Sequence, residues 1–128
     1  MRDLENRTDI EKLLELFYSK ALIDPLIGYF FTDVIPLDMK THIPVIADFW
    51  ETVLFGKAVY KGNVLDIHKH IHQLSAFTEA HFTRWVSIFK ETVDQCYQGE
   101  KAELAKQRAE SIATIMKLKT IYAGTGFH

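Results

Sequence analysis

The chain contains few residues that interrupt helices, and this scarcity constrains its fold more than any other feature. Its 128 residues include three prolines and six glycines, and we find no internal repeat or low-complexity tract. Apolar residues recur at the spacing of three and four residues that is typical of one face of an α-helix. No segment alternates convincingly with period two, so the sequence predicts an all-α protein. The length corresponds to one domain, which we expect to span residues 1–128.

Two helices are predicted in the first half of the chain. The first begins near Thr8, because Thr8 and Glu11 have the spacing of a capping box, and its pattern stops near Asp24. The second covers residues 37–54, where Pro44 is acceptable only in the first turn or with a local irregularity. Their inward faces carry Ile10, Leu13, Leu14, Phe17 and Ala21 in the first helix, and His42, Ile46, Phe49, Trp50, Val53 and Leu54 in the second.

Three further helices are predicted in the second half. A short one covers residues 64–72, the next opens at Thr78 and ends near Gly99, and the last covers residues 101–122. The apolar positions of the last two are Phe82, Trp85, Phe89, Val93 and Cys96, followed by Ala105, Ala109, Ile112, Ala113 and Met116.

Charge and cysteine content exclude several classes of protein. Fifteen basic and 17 acidic residues give a formal charge of −2, which does not indicate a nucleic-acid partner or an anionic membrane. Cys96 is the one cysteine, so we expect no internal disulfide and a reducing compartment. The start of the chain does not resemble a signal peptide, and no apolar run approaches the roughly 20 residues that span a bilayer. These features predict a cytoplasmic protein.

The histidines are the residues most able to carry chemistry, because motifs for nucleophilic catalysis and phosphate binding are absent. His68, His70 and His72 alternate, so all three would share a face on a strand, whereas only His68 and His72 would share one on a helix. A metal-ion site is conceivable, and a solvated surface cluster is the simpler interpretation. His42 falls on an inward stripe and Tyr18 lies beside one, and such polar residues are more often satisfied by one local hydrogen bond than functional.

A set of short motifs, in one order and at compatible spacing, resembles group III of the truncated haemoglobins. Each motif alone is weak, and together they extend over nearly the whole chain. They lie at residues 14–18, 28–31, 42–50, 60–68, 81–85 and 108–113.

The resemblance implies a shortened globin fold, a two-over-two helical sandwich around haem b. It implies that His68 is the proximal ligand of the haem iron, since His68 matches by its distance from the motif that begins at His42. Val64 stands where family members often have proline, four residues before that ligand. His72 is the alternative, because counting backward from Trp85 favours it. His70 has no haem role under this interpretation.

On the opposite, distal side the resemblance places Tyr18, His42 and Trp85. The Tyr18 hydroxyl and the Trp85 indole N–H would donate hydrogen bonds to bound dioxygen. His42 would add a third donor or act as a gate to solvent. The same resemblance places Phe31, Ile46 and Phe49 against the haem or its ligand pocket.

The expected function is therefore reversible binding of dioxygen, carbon monoxide, nitric oxide or other diatomic ligands. Three distal donors suggest slow release, which suits nitric oxide dioxygenation or peroxide turnover with an unidentified reductase. The rival interpretation is a haem-free helical sensor or metal-binding module that uses His68, His70 and His72. Under the haem interpretation, the nine Phe, five Tyr and two Trp residues supply walls for a flat apolar cofactor as well as a core.

Overall fold

The computed structural model describes residues 1–29, 39–56 and 78–118 of the chain. Within these ranges the secondary structure consists of four α-helices: α1 (Arg7–Ala21), α2 (Met39–Phe55), α3 (Glu79–Cys96) and α4 (Glu100–Lys117). The predicted all-α fold class is thus confirmed, and the short helix expected at residues 64–72 lies outside the described ranges. No helix of the described ranges is both long and apolar enough to cross a membrane.

Helix α1 begins earlier than the sequence pattern predicts, and Thr8 is not its cap. Asn6 is the N-cap, with an extended backbone and a side-chain oxygen that accepts a hydrogen bond from the Asp9 amide at 3.0 Å. The prediction of a Thr8 cap was wrong because Asn6 offers the same capping chemistry two residues earlier. The predicted inward stripe is confirmed, since all five of its members are buried: Ile10, Leu13, Leu14, Phe17 and Ala21.

Helix α2 contains Pro44 beyond its first turn, five residues after Met39. Of the two possibilities that the sequence leaves open for Pro44, a place in the first turn is thus excluded, and α2 continues past it to Phe55. The Arg7 guanidinium lies over this stretch, where it donates a hydrogen bond to the Pro44 carbonyl at 3.1 Å. Arg7 also forms ion pairs with Asp48 and with Glu51, and these contacts tie the start of α1 to the middle of α2.

Helix α3 starts where the sequence predicts, with Thr78 as its N-cap. The Thr78 hydroxyl accepts a hydrogen bond from the His81 amide, and Nδ1 of His81 accepts one from the Thr78 amide at 3.0 Å. This reciprocal arrangement is a capping box with histidine in the place of the usual glutamate or glutamine. Phe82, Phe89 and Val93 of the predicted stripe are buried, while Trp85 and Cys96 are half-buried.

Helix α4 is capped by a residue from the other end of the chain. Its own N-cap, Gly99, supplies no side chain, and the carboxylate of Asp3 accepts hydrogen bonds from the Lys101 and Ala102 amides, both at 2.8 Å. A carboxylate at this place pairs with exposed amides and with the positive end of the helix dipole. The structure describes this helix as far as Lys117, and residues 119–122 of the predicted span lie outside the described ranges.

The four helices form two layers. Helix α1 packs against α2 and α3, and α4 packs against α3 and α2, so that the α1–α2 pair lies over the α3–α4 pair. Aromatic rings fill the space between the layers: Phe89 of α3 stacks on Trp50 of α2, with ring centroids 5.1 Å apart. Small residues on α4, including Ala105 and Ala109, are fully buried and allow close approach of the helices.

Candidate functional site

A contact between Tyr18 and His42 joins α1 to α2 at the candidate site. The phenol oxygen of Tyr18 lies 2.8 Å from Nε2 of His42, and the two rings meet edge to face with centroids 5.3 Å apart. Tyr18 is buried on the inner face of α1, and His42 is half-buried near the start of α2. Two residues that the sequence places on separate inward stripes are thus brought together by the fold.

Burial reinforces the protonated form of Tyr18. Its desolvation raises the pKa of the phenol well above the usual value, so the hydroxyl keeps its proton at neutral pH. Either this hydroxyl donates to an unprotonated Nε2 of His42, or an Nε2–H of His42 donates to the phenol oxygen. In both cases the pair holds a hydrogen-bond donor that a ligand with partial negative charge can recruit.

Phe17 connects this pair to the third predicted donor. The Phe17 ring meets Tyr18 at 5.0 Å and Trp85 at 6.0 Å between centroids, both edge to face. Trp85 also lies nearly parallel to Phe89, with centroids 6.1 Å apart and 18° between the planes. Tyr18 and Trp85 therefore both contact one buried ring, from neighbouring helices of the two layers.

The face of α2 that carries His42 continues as an apolar surface. Ile46 and Phe49 follow His42 by four and seven residues, so they share its side of the helix. Both are half-buried and pack against the core cluster, as the predicted stripe requires. Next to Phe49 lies a cavity of about 300 Å³ between α2 and α4, lined by Phe49, Val53, Arg108, Ser111, Ile112 and Ile115.

An ion pair that sequence reasoning missed lies close to Trp85 in the chain. Asp24, in the segment after α1, is buried and pairs with Arg84 of α3 at 2.7 Å. The Arg84 guanidinium, aided by backbone amides of Leu26 and Ile27, holds the pKa of the Asp24 carboxyl below its usual value, although burial opposes this shift. No sequence pattern connects residues 60 positions apart, and Asp24 next to Pro25 resembled only the end of a helix.

Several predicted site residues lie outside the described ranges. Phe31, His68, His70 and His72 are among them, so the proximal ligand remains a prediction from the sequence. Tyr18, His42 and Trp85 are described, and so are Ile46 and Phe49. In the part of the chain that the structure describes, no cluster of three or more His, Cys, Asp or Glu side chains could hold a metal ion.

A two-over-two helical sandwich with a tyrosine–histidine pair beside an apolar helix face defines a protein of the globin class. The chain is 33% identical to the group 3 truncated hemoglobin ctb of Campylobacter jejuni over 112 residues, which are 85% of this chain and 86% of that protein. Its fold matches the crystal structure of a group III truncated hemoglobin from Campylobacter jejuni with a TM-score of 0.77 at 30% identity, covering 94% and 95% of the two chains. No family model matches the sequence.

The chain therefore belongs to the group III truncated haemoglobin family, as the motifs in its sequence indicate. The family implies a haem cofactor and the binding of small diatomic ligands. The described residues fit such a group in their chemistry. Ile46, Phe49 and Trp85 offer half-buried apolar surface suited to a flat macrocycle, and Tyr18 and His42 supply polar protons beside it.

Proposed function

We propose that this protein binds dioxygen and other diatomic ligands at a haem whose distal side is formed by Tyr18, His42 and Trp85. The observation that carries the proposal is the 2.8 Å contact between the Tyr18 hydroxyl and Nε2 of His42, held within an apolar and aromatic environment. When bound, haem would supply the iron atom that takes the diatomic ligand. On the proximal side we propose His68 as the ligand of that iron, with His72 as the alternative.

Each distal residue has a separate task in this proposal. Tyr18, a buried phenol that keeps its proton at neutral pH, donates a hydrogen bond to a ligand that carries partial negative charge. His42 holds the phenol in place and can turn toward the ligand or toward solvent, because it is half-buried. Trp85 contributes an indole N–H from the other layer of helices. Ile46 and Phe49, on the apolar face of α2, exclude water from the ligand pocket.

These donors favour slow release over bulk delivery of oxygen. A hydrogen bond to a group with charge contributes about 1.5–3 kcal/mol, and each 1.4 kcal/mol changes an equilibrium by about tenfold. Slow release suits redox chemistry on the ligand, such as nitric oxide dioxygenation or peroxide turnover with electrons from a reductase. We propose that dioxygen, carbon monoxide and nitric oxide are all accepted, that the cofactor is haem b, and that the protein works in the cytoplasm.

Absorption spectra and ligand release kinetics test the proposal together. Purified protein is expected to be red, to show a strong Soret band, and to shift that band on reduction and on addition of carbon monoxide. Oxygen dissociation, followed by stopped flow, is expected to accelerate about tenfold or more in Tyr18→Phe. A colourless protein that hemin cannot reconstitute would contradict haem binding. Fast release that Tyr18→Phe leaves unchanged would contradict the distal role of Tyr18.

A further inference from the structure

Both carboxylate oxygens of Asp24 accept hydrogen bonds. One carboxylate oxygen, Oδ2, accepts hydrogen bonds from the backbone amides of Leu26 at 3.0 Å and Ile27 at 3.1 Å. The other oxygen, Oδ1, accepts a hydrogen bond from Nε of Arg84 at 2.8 Å and lies 2.7 Å from Nη2 of the same residue. The side chain of Asp24 is 3% exposed, so its position is determined by these partners. A carboxylate fixed in this way is a rigid anchor for the guanidinium.

The anchor connects the two helices that carry distal donors. Asp24 lies six residues after Tyr18, just beyond the end of α1, and Arg84 directly precedes Trp85 in α3. The ion pair therefore spans the interface between α1 and α3 next to the residues whose separation matters for a shared ligand. A shift of α3 along α1, or a rotation about its axis, would move Trp85 and stretch this pair.

The other contacts of Trp85 restrain it less directionally. Its ring meets Phe17 edge to face and stacks on Phe89. Apolar packing is close to non-directional, and ring pairs are stable over a range of centroid separations. A charge-assisted pair with two N–H groups on one oxygen has stricter geometry. Among the contacts described for Arg84 and Trp85, the Asp24–Arg84 pair is the charge-assisted one, and its geometry depends on the rotation of α3.

We infer that Arg84 is a positioning residue for Trp85, acting through Asp24 to fix the placement of the indole relative to the Tyr18 hydroxyl. The inference rests on the proposed function, since it gives Trp85 a ligand to contact. It predicts that Arg84 controls ligand release without touching the ligand. A residue with only a structural role would change the stability of the protein without a specific dependence on Trp85.

A double-mutant cycle on oxygen dissociation tests the inference in the haem-loaded protein. Four proteins are compared by stopped flow: wild type, Arg84→Ala, Trp85→Phe and the double variant. Arg84→Ala is expected to accelerate dissociation about threefold or more in the wild-type background and to have no further effect when Trp85 is phenylalanine. In the infrared spectrum of the carbon monoxide form, Arg84→Ala is expected to move the C–O stretch toward its position in Trp85→Phe.

Two further variants separate positioning from loss of folding. Arg84→Lys keeps a positive charge that can still pair with the buried Asp24, and it is expected to restore part of the slow release. Lys106→Ala removes an α3–α4 ion pair with Asp94, nine residues further along α3 than Trp85, and serves as the matched control. It is expected to leave both oxygen dissociation and the C–O stretch unchanged. Urea unfolding midpoints are measured for every variant.

The outcomes distinguish this inference from the proposed function. An equal acceleration by Arg84→Ala in the wild-type and Trp85→Phe backgrounds would overturn the positioning role and leave the function of Trp85 intact. An unchanged rate in both Arg84→Ala and Arg84→Lys, while Trp85→Phe releases oxygen faster, would overturn the inference in the same way. An unchanged rate in Trp85→Phe itself would contradict the distal role of Trp85, and the inference with it.

Discussion

Tyr18 and His42 lie with the phenol oxygen 2.8 Å from Nε2, one on each of the two helices that form the upper layer of the sandwich. The contact joins a buried phenol to a half-buried imidazole. Under the proposed function, a ligand that enters the pocket would compete for the same protons. We therefore expect the two residues to act on a ligand as a unit, which has a measurable consequence.

We predict that substitutions of Tyr18 and His42 are not additive. Tyr18→Phe removes the hydroxyl donor, and His42→Leu removes its partner while keeping an apolar side chain of similar reach. Because either change breaks the same contact, the double variant is expected to release oxygen at a rate close to that of Tyr18→Phe. Stopped-flow dissociation rates of the four proteins check this, with a coupling between the two sites of about 0.5–3 kcal/mol.

An additive cycle would show that the two residues contact a ligand independently. Ser19→Ala is a suitable control, because its exposed hydroxyl bonds to the Leu16 carbonyl within α1. This variant is expected to keep the wild-type rate. A change of rate in Ser19→Ala would indicate that any loss of a hydroxyl on α1 alters the pocket.

The helices could be predicted from the sequence because apolar spacing is a local signal. The buried stripe of α1 and the Thr78 start of α3 were correct, since periodicity and capping depend on neighbours along the chain. The predicted N-cap of α1 was two residues too late, because Asn6 and Thr8 both have side chains that can cap a helix. For Pro44 the sequence left a first-turn place and a local irregularity open, and the structure excludes the first turn.

The residues of the candidate site could be named from the sequence, but the contacts between them could not be predicted. The family resemblance named Tyr18, His42 and Trp85, whereas the contact between Tyr18 and His42 became visible in the folded chain. The Asp24–Arg84 pair and the cap that Asp3 provides for α4 had no signal in the sequence. Both join acidic residues to partners at least 60 positions away, and charge patterns in one sequence do not specify such pairings.

Gly99 is expected to tolerate alanine poorly, because its backbone conformation and its surroundings both exclude a side chain. Its φ is 145°, and a Cβ added there would lie 2.5 Å from Cγ of Asp3. Strained backbone at such a position costs about 1–3 kcal/mol, and the displaced Asp3 would also lose its cap on α4. Urea denaturation is expected to show a larger loss of stability for Gly99→Ala than for Gly56→Ala.

Gly56 is the matched control, since its φ is 68° and a Cβ added there would meet no atom of the described ranges within 4 Å. Asp3→Ala separates the two causes at Gly99. It removes the cap, at a cost of about 1 kcal/mol, and also removes Cγ and Oδ2, two of the three Asp3 atoms that a Cβ would strike, while the Asp3 Cβ remains 2.7 Å from it. Equal losses in Gly99→Ala and Gly56→Ala would mean that the close approach of Asp3 has no energetic effect.

Asp9 is expected to make the fold sensitive to acid. Its hydrogen bonds from Arg2, together with those from the Glu5 and Asn6 region, lower the pKa of the carboxyl to about 2, although burial opposes this shift. Because the folded pKa is lower than the unfolded one, the stabilisation is complete above about pH 4 and is lost as the pH falls toward 2. With the Asp9 side chain 3% exposed, the contribution is up to about 2 kcal/mol.

Urea unfolding at pH 7 and near pH 3 measures this contribution. Asp9→Asn keeps the size of the side chain and removes the titration, so its stability is expected to fall less between the two pH values than that of wild type. Glu15→Gln, on the exposed face of α1, is the control and is expected to retain the full acid dependence. A wild-type pH dependence in Asp9→Asn would assign acid sensitivity to other carboxylates.

Haem retention decides between the two proposed proximal ligands. We predict that His68→Gly abolishes stable haem binding, because the neutral imidazole of His68 would be the ligand that the protein supplies to the haem iron. His72→Gly is expected to bind haem as wild type does, and exogenous imidazole is expected to restore the Soret band of His68→Gly by occupying the vacated position. Haem transfer to an apo-globin acceptor, followed by absorption, measures the retention. Loss of haem from His72→Gly with retention in His68→Gly would assign the ligand to His72.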